Sequence, residues 1–129
     1  MPKVGQLTLS LASKPGVLAQ LTGALARAGV NIQAICAPEV TGKGRVRVVV
    51  DDSERARSAL KAAKLRAGEE EAIAVTLENR PGALAQVAER LAQGKVNIKC
   101  AYATTHGAGP ATAILTVSNT AKALALLGG

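Results

Sequence analysis

The sequence contains no tryptophan and no phenylalanine, and Tyr102 is its only aromatic ring apart from the imidazole of His106. A core without large rings must be built from Ala, Val, Leu and Ile. Single-stranded nucleic acid is held largely by stacking on exposed aromatics, so their scarcity disfavours that ligand class. His106 sits in the glycine-rich run His106-Gly107-Ala108-Gly109-Pro110, where an exposed loop residue is expected rather than a catalyst. The two cysteines, Cys36 and Cys100, show no Cys-x-x-Cys spacing and no neighbouring ligand cluster, so they read as buried free thiols.

Phosphate loops, dinucleotide fingerprints and metal-ligand spacings are absent as well, and nucleophilic or acid–base chemistry has no base and orienting group in sight. No catalytic residue, no metal and no cofactor is therefore assigned. No apolar run approaches the roughly 18–20 residues of a membrane span, and Met1-Pro2-Lys3-Val4-Gly5 lacks the apolar stretch of a signal peptide. A cytoplasmic location is the expectation.

What is present is a chain of 129 residues, 48% hydrophobic and 19% charged, with a formal net charge of +7. The charge is unevenly placed. Residues 1–66 hold eleven Lys and Arg against four Asp and Glu, whereas residues 67–129 hold five of each. A basic half can serve solubility, an acidic partner or nucleic acid.

Sliding the chain on itself by 66 residues exposes an internal repeat. Pro15-Gly16-Val17-Leu18-Ala19-Gln20 falls on Pro81-Gly82-Ala83-Leu84-Ala85-Gln86, and Val30-Asn31-Ile32 falls on Val96-Asn97-Ile98. Upstream, Leu7, Leu9 and Leu11 match Ile73, Val75 and Leu77 in a period of two, the mark of a strand with one buried face. After each Pro-Gly, apolar residues recur at helical spacing: Leu18, Leu21, Leu25 and Leu84, Val87, Leu91. These stripes are expected to pack on the sheet, with the helices stopping near Gly29 and Gly94.

Strands are expected again at residues 31–37 and 97–104, with Tyr102 and Cys36 as core fillers, and at the runs through Val46, Val48, Val50 and Ala113, Leu115, Val117. Asp52 or Ser53 and Asn119 or Thr120 then offer N-caps to second helices carrying Leu60 and Leu127. The first half continues through Leu65 to Glu71, enough for a short fourth strand, and the run Glu69-Glu70-Glu71 reads as solvated. The second half stops at Gly128-Gly129. Its missing fourth strand would leave an edge to be covered by another chain or by the N-terminal residues.

The strand–helix–strand–strand–helix order, with Glu78-Asn79-Arg80-Pro81-Gly82 before a helix and Val96-Asn97-Ile98 opening a strand, resembles the ACT domain. Ser13-Lys14-Pro15-Gly16 with Val30-Asn31-Ile32 is a departed copy. The resemblance to stand-alone tandem ACT proteins implies an α+β fold. Two ferredoxin-like βαββαβ units would stand in tandem over residues 1–70 and 71–129, with antiparallel sheets, helices on one face, and a second unit lacking a clear last strand. It implies a non-catalytic amino-acid sensor.

A helix N-terminus offers unpaired N–H groups and partial positive charge to a carboxylate, a glycine lets a ligand approach the backbone, and an asparagine both donates and accepts. In the family the ligand often lies between paired units. By that resemblance Asn79, Arg80, Pro81, Gly82, Ala83 and Leu84 would face Asn31, while Ser13, Lys14, Pro15, Gly16, Val17 and Leu18 would face Asn97. The residues alone leave a second reading open, with Asn79 and Ser13 as helix caps and Asn31 and Asn97 satisfying local backbone.

The expected partners are a free amino acid or similar small molecule and a second copy of the chain or a regulated enzyme. The loop also resembles that of the regulatory small subunits of acetohydroxyacid synthase, which keeps a subunit role as the alternative. An RNA-binding role ranks below both: Arg45 and Arg47 would share the open sheet face with Gln6, Thr8 and Ser10, a face with charge but no stacking rings.

Overall fold

Alternation of apolar and polar side chains, broken by Pro-Gly and Asn turns, divides the described residues into ten elements. In the computed structural model, which describes residues 3–38, 42–105 and 107–128, the first five are β1 (Lys3–Ala12), α1 (Val17–Arg27), β2 (Ile32–Cys36), β3 (Lys43–Val50) and α2 (Ser53–Ala62). The remaining five are β4 (Gly68–Leu77), α3 (Ala83–Gln93), β5 (Ile98–Thr104), β6 (Ala111–Val117) and α4 (Thr120–Leu126). They form two compact units. The first is Gly5–Glu70; the second runs from Glu71 onward and takes in Lys3 and Val4.

In the first unit the strand order is β2-β3-β1-β4, with β4 contributing its opening residues Gly68–Glu70. β1 pairs antiparallel with β3 in a register that sets Leu7 opposite Val48 and Leu9 opposite Val46. These four side chains share a core with Leu21, Leu25, Ala56 and Leu60, so α1 and α2 cover one face of the sheet. Each fully buried leucine there contributes about 1.5–3 kcal/mol by leaving water.

The second unit repeats this plan in the order β1-β4-β6-β5, where the β1 share is Lys3 and Val4. Ile73 lies opposite Leu115 and Val75 opposite Ala113, and α3 and α4 close the core with Val87, Leu91, Ala123 and Leu127. The place of its fourth strand is thus held by the chain's own N-terminal residues. Asp52 and Asn119 cap α2 and α4 as the sequence suggests, each accepting from the backbone N–H three residues on at 3.0 Å.

Several expectations need correction. Leu18 and Leu84 do not join the core; they are 48% and 45% exposed, although the residues just before them, Val17 and Ala83, are half-buried and buried. Cys36 and Cys100 form no disulfide and are only half-buried, and Tyr102 is likewise half-buried, outside either core. Gln6 is fully buried and donates to Glu70 at 2.9 Å rather than standing on an open face.

The glutamate run is not simply solvated, since Glu69 pairs with Arg57, Glu70 with Arg47 and Glu71 with Lys3. α1 does end on a left-handed Gly29, whereas at the end of α3 Gly94 has φ −85° and Lys95 takes the left-handed turn at φ 60°. Gly94 is small for another reason. A Cβ there would collide with Leu126 of α4. His106 lies outside the described residues.

Candidate functional site

Each Pro-Gly loop connects a strand to the open end of a helix, and the two loops are built alike. Gly16 and Gly82 are the N-caps of α1 and α3, held left-handed at φ 87° and 88°, a conformation glycine adopts at no steric cost. The N–H of Val17 donates to the carbonyl of Lys14, and that of Ala83 to the carbonyl of Arg80. No side chain caps either helix. Asn79 and Ser13 therefore are not caps, and the first-turn N–H groups of α1 and α3 keep their partial positive charge. The contrast with the capped α2 and α4 is drawn within one chain.

Ser13, Lys14, Pro15, Gly16 and Leu18 are exposed and Val17 is half-buried; Asn79, Arg80, Pro81, Gly82 and Leu84 are exposed and Ala83 is buried. In the first unit the loop borders a pocket of about 160 Å³, walled by Leu11, Val17, Leu18 and Val46, with Lys14 as its charged rim. That is only about five water volumes, room for part of a small ligand. In the second unit Arg80 folds over its own loop, its Nε donating to Glu78 at 2.6 Å and its Nη2 to Gln86 at 3.2 Å.

Asn31 and Asn97 mirror each other. The Asn31 N–H donates to the Asp51 carboxylate at 3.0 Å while its carbonyl accepts from the Asp51 N–H; Asn97 makes the same two bonds with Ser118. Both asparagines are exposed. A β-bulge follows each, at Ile32/Ala34 and Ile98/Cys100, an irregularity with no signature in the sequence. Asn31 also borders a recess of about 450 Å³ over Thr22, Gly23 and Ala26 of α1.

Within a unit the loop and the asparagine are far apart. Leu11 pairs with Gly44 at one end of β3 and Ile32 with Val50 at the other, six residues or roughly 20 Å away. In the second unit Leu77 pairs with Ala111 and Ile98 with Val117, the same spacing. No single unit brings its own loop and asparagine onto one amino-acid-sized ligand. The sequence reading also missed a third feature, a recess of about 790 Å³ along α2 bordered by Arg57, Lys61, Lys64 and Arg66. Its signal was the basic spacing 57, 61 on one helix face, continued by Lys64 and Arg66 just beyond the helix.

The chain is thus two ferredoxin-like modules, each with a helix that begins beside a glycine and carries no side-chain cap. The AHAS small subunit-like ACT domain matches residues 7–66. Protein BT0572 from Bacteroides thetaiotaomicron has the same structure over 97% of this chain and 86% of its own, with a TM-score of 0.90 and 30% identity. The regulatory subunit of aspartate kinase from Thermus thermophilus, in a ligand-free form, matches over 98% of this chain and 95% of its own with a TM-score of 0.71 at 17% identity. Aspartokinase III of E. coli, in complex with lysine and aspartate, matches 98% of this chain through 32% of its own, with a TM-score of 0.61 and 19% identity. No curated protein sequence matches. The chain belongs to the ACT-domain family. Among the described residues, no helix is long and apolar enough to cross a membrane.

Proposed function

We propose that this protein is a non-catalytic, cytoplasmic regulator that binds a free amino acid between paired ACT units. The observation that carries the reading is the selective lack of side-chain caps on α1 and α3, which begin beside Gly16 and Gly82. A carboxylate is the natural occupant of such a position, favoured by about 0.3–1 kcal/mol from the helix dipole alone and by its hydrogen bonds beyond that.

The ligand's ammonium then needs an acceptor at the opposite end, and an asparagine side-chain carbonyl supplies one. Since one unit separates its loop from its asparagine by roughly 20 Å, the loop of one unit works with the asparagine of another. The pairing is that of the resemblance: the Asn79 to Leu84 loop with Asn31, and the Ser13 to Leu18 loop with Asn97. Asn79 reaches further than Ser13, which makes its pocket the stronger. Binding across two units biases their mutual arrangement by the ligand's differential contacts.

A thermal-shift screen against the twenty amino acids tests this. One or a few should raise the melting temperature, and Asn79→Ala and Asn31→Ala should each abolish that rise while leaving the unliganded midpoint within a degree or two. A screen in which no amino acid stabilises the chain removes the proposal. The match to the AHAS small subunit-like ACT domain favours one second reading, a regulatory subunit of a biosynthetic enzyme. Stoichiometric copurification with a synthase from the native cell would establish that reading over the free-standing sensor.

A further inference from the structure

We propose that the recess along α2 in the first unit is a second ligand site, one that takes a small oligophosphate. Lys61 and Arg57 reach it from one face of α2, and Lys64 and Arg66 from the loop that follows, so cations border it from two elements. Arg57 is neutralised by Glu69 at 3.3 Å, and Glu54 at the rim carries one negative charge. None of the ion pairs among the described residues involves Lys61, Lys64 or Arg66. Three unpaired cations against one carboxylate leave a surplus of two.

A bland account is that these cations answer the negative end of the α2 dipole. That end carries about half an elementary charge, a quarter of the surplus, so the dipole does not absorb it. The repeat supplies an internal comparison. α4, the counterpart of α2, carries a single basic residue, Lys122. The cluster is therefore an addition to the first unit and not a requirement of the fold.

The chemistry of the recess selects among anions. A zwitterionic amino acid brings no net charge and gains little from it. A linear oligophosphate presents several anionic oxygens along its length, which lysines can meet from either side and Arg66 can grip through two parallel N–H groups. At about 790 Å³ the recess matches small-ligand sites, which run to roughly 300–1,000 Å³. No aromatic side chain borders it, so recognition falls on the phosphates and not on a base. α2 has ten residues, about 15 Å of helix, too short a track for a nucleic-acid backbone to follow by itself.

The test is a chemical-shift titration of the full chain with inorganic tripolyphosphate, with orthophosphate and a short DNA duplex as parallel arms, at low and near-physiological salt. Tripolyphosphate should shift the amides of residues 57–67 saturably and more tightly than orthophosphate. Lys61→Gln and Arg66→Gln should each weaken binding about fivefold, the worth of one charge pair at contact distance in water. Lys64→Gly should do the same while keeping the fold, because Lys64 sits at φ 61°, where glycine is favoured. Lys122→Gln should change nothing. Absence of shifts around α2, or equal losses from Lys122→Gln, overturns the site. Duplex binding that exceeds tripolyphosphate binding overturns the ligand class in favour of nucleic acid.

Discussion

Gly94→Ala should destabilise the protein by about 1–2 kcal/mol, although the usual rule for this backbone points the other way. Gly94 has φ −85° and ψ 5°, a conformation alanine adopts freely, and there the exchange ordinarily stabilises by about 0.4–1 kcal/mol through the unfolded chain. Against that stands Leu126, whose Cδ2 and Cγ would lie 3.1 and 3.2 Å from the new Cβ and whose Cδ1 would overlap it. Because the Cγ is involved, rotating the methyl groups does not clear the clash, and overpacking of this kind costs about 1–3 kcal/mol.

Urea titration of four proteins, the wild type, Gly94→Ala, Leu126→Ala and the double variant, separates the two terms. In the Leu126→Ala background the same substitution should become stabilising by about 0.5 kcal/mol, giving a coupling of roughly 2 kcal/mol between the sites. With an m-value of about 1–3 kcal/mol/M that is a midpoint change of order 1 M. Equal effects of Gly94→Ala in both backgrounds would refute the claim that close approach of Leu126 is what requires glycine.

Three further outcomes separate structural from ligand-facing residues. Asp52→Ala should cost about 1 kcal/mol by uncapping α2, whereas Ser13→Ala should stay within about 0.5 kcal/mol in denaturant unfolding because Ser13 caps nothing; equal costs would contradict the uncapped loop. Gly82→Ala should cost about 1–2 kcal/mol from the left-handed backbone alone, with nothing within 4 Å to clash, and a neutral result would show that the loop adopts another conformation. Glu70→Ala should cost about 1.5–3 kcal/mol, since it strands Arg47, whose side chain is 17% exposed, while Glu71→Ala should cost under about 1 kcal/mol because its Lys3 pair lies in water; the reverse order would refute the network.

The duplication was legible because strand and helix periods survive divergence. Leu7, Leu9 and Ile73, Val75 alternate with polar residues in both halves, and Asp52 and Asn119 cap by local chemistry that one residue's side chain decides. What the sequence concealed depends on where an element starts or on what comes near in space. Leu18 and Leu84 fit the helical stripe by spacing, yet both lie exposed in the first turns of helices that start at residues 17 and 83. Gly94 does mark the end of α3, but what requires glycine there is Leu126, thirty-two residues later. The glutamate run reads as solvated from sequence because each partner, Arg57, Arg47 and Lys3, comes from a different element.

The candidate loops show the same boundary between local and distant information. Pro-Gly before a helix is readable, and so is an asparagine before a strand. That no side chain caps α1 and α3, and that roughly 20 Å separates each loop from its own unit's asparagine, are consequences of helix starts and of β3 and β6 register. These two facts turn a repeated motif into an argument about pairing. The two copies also differ in charge, since Arg57 and Lys61 of α2 and Lys64 and Arg66 just after it border one recess, whereas α4 carries Lys122 alone.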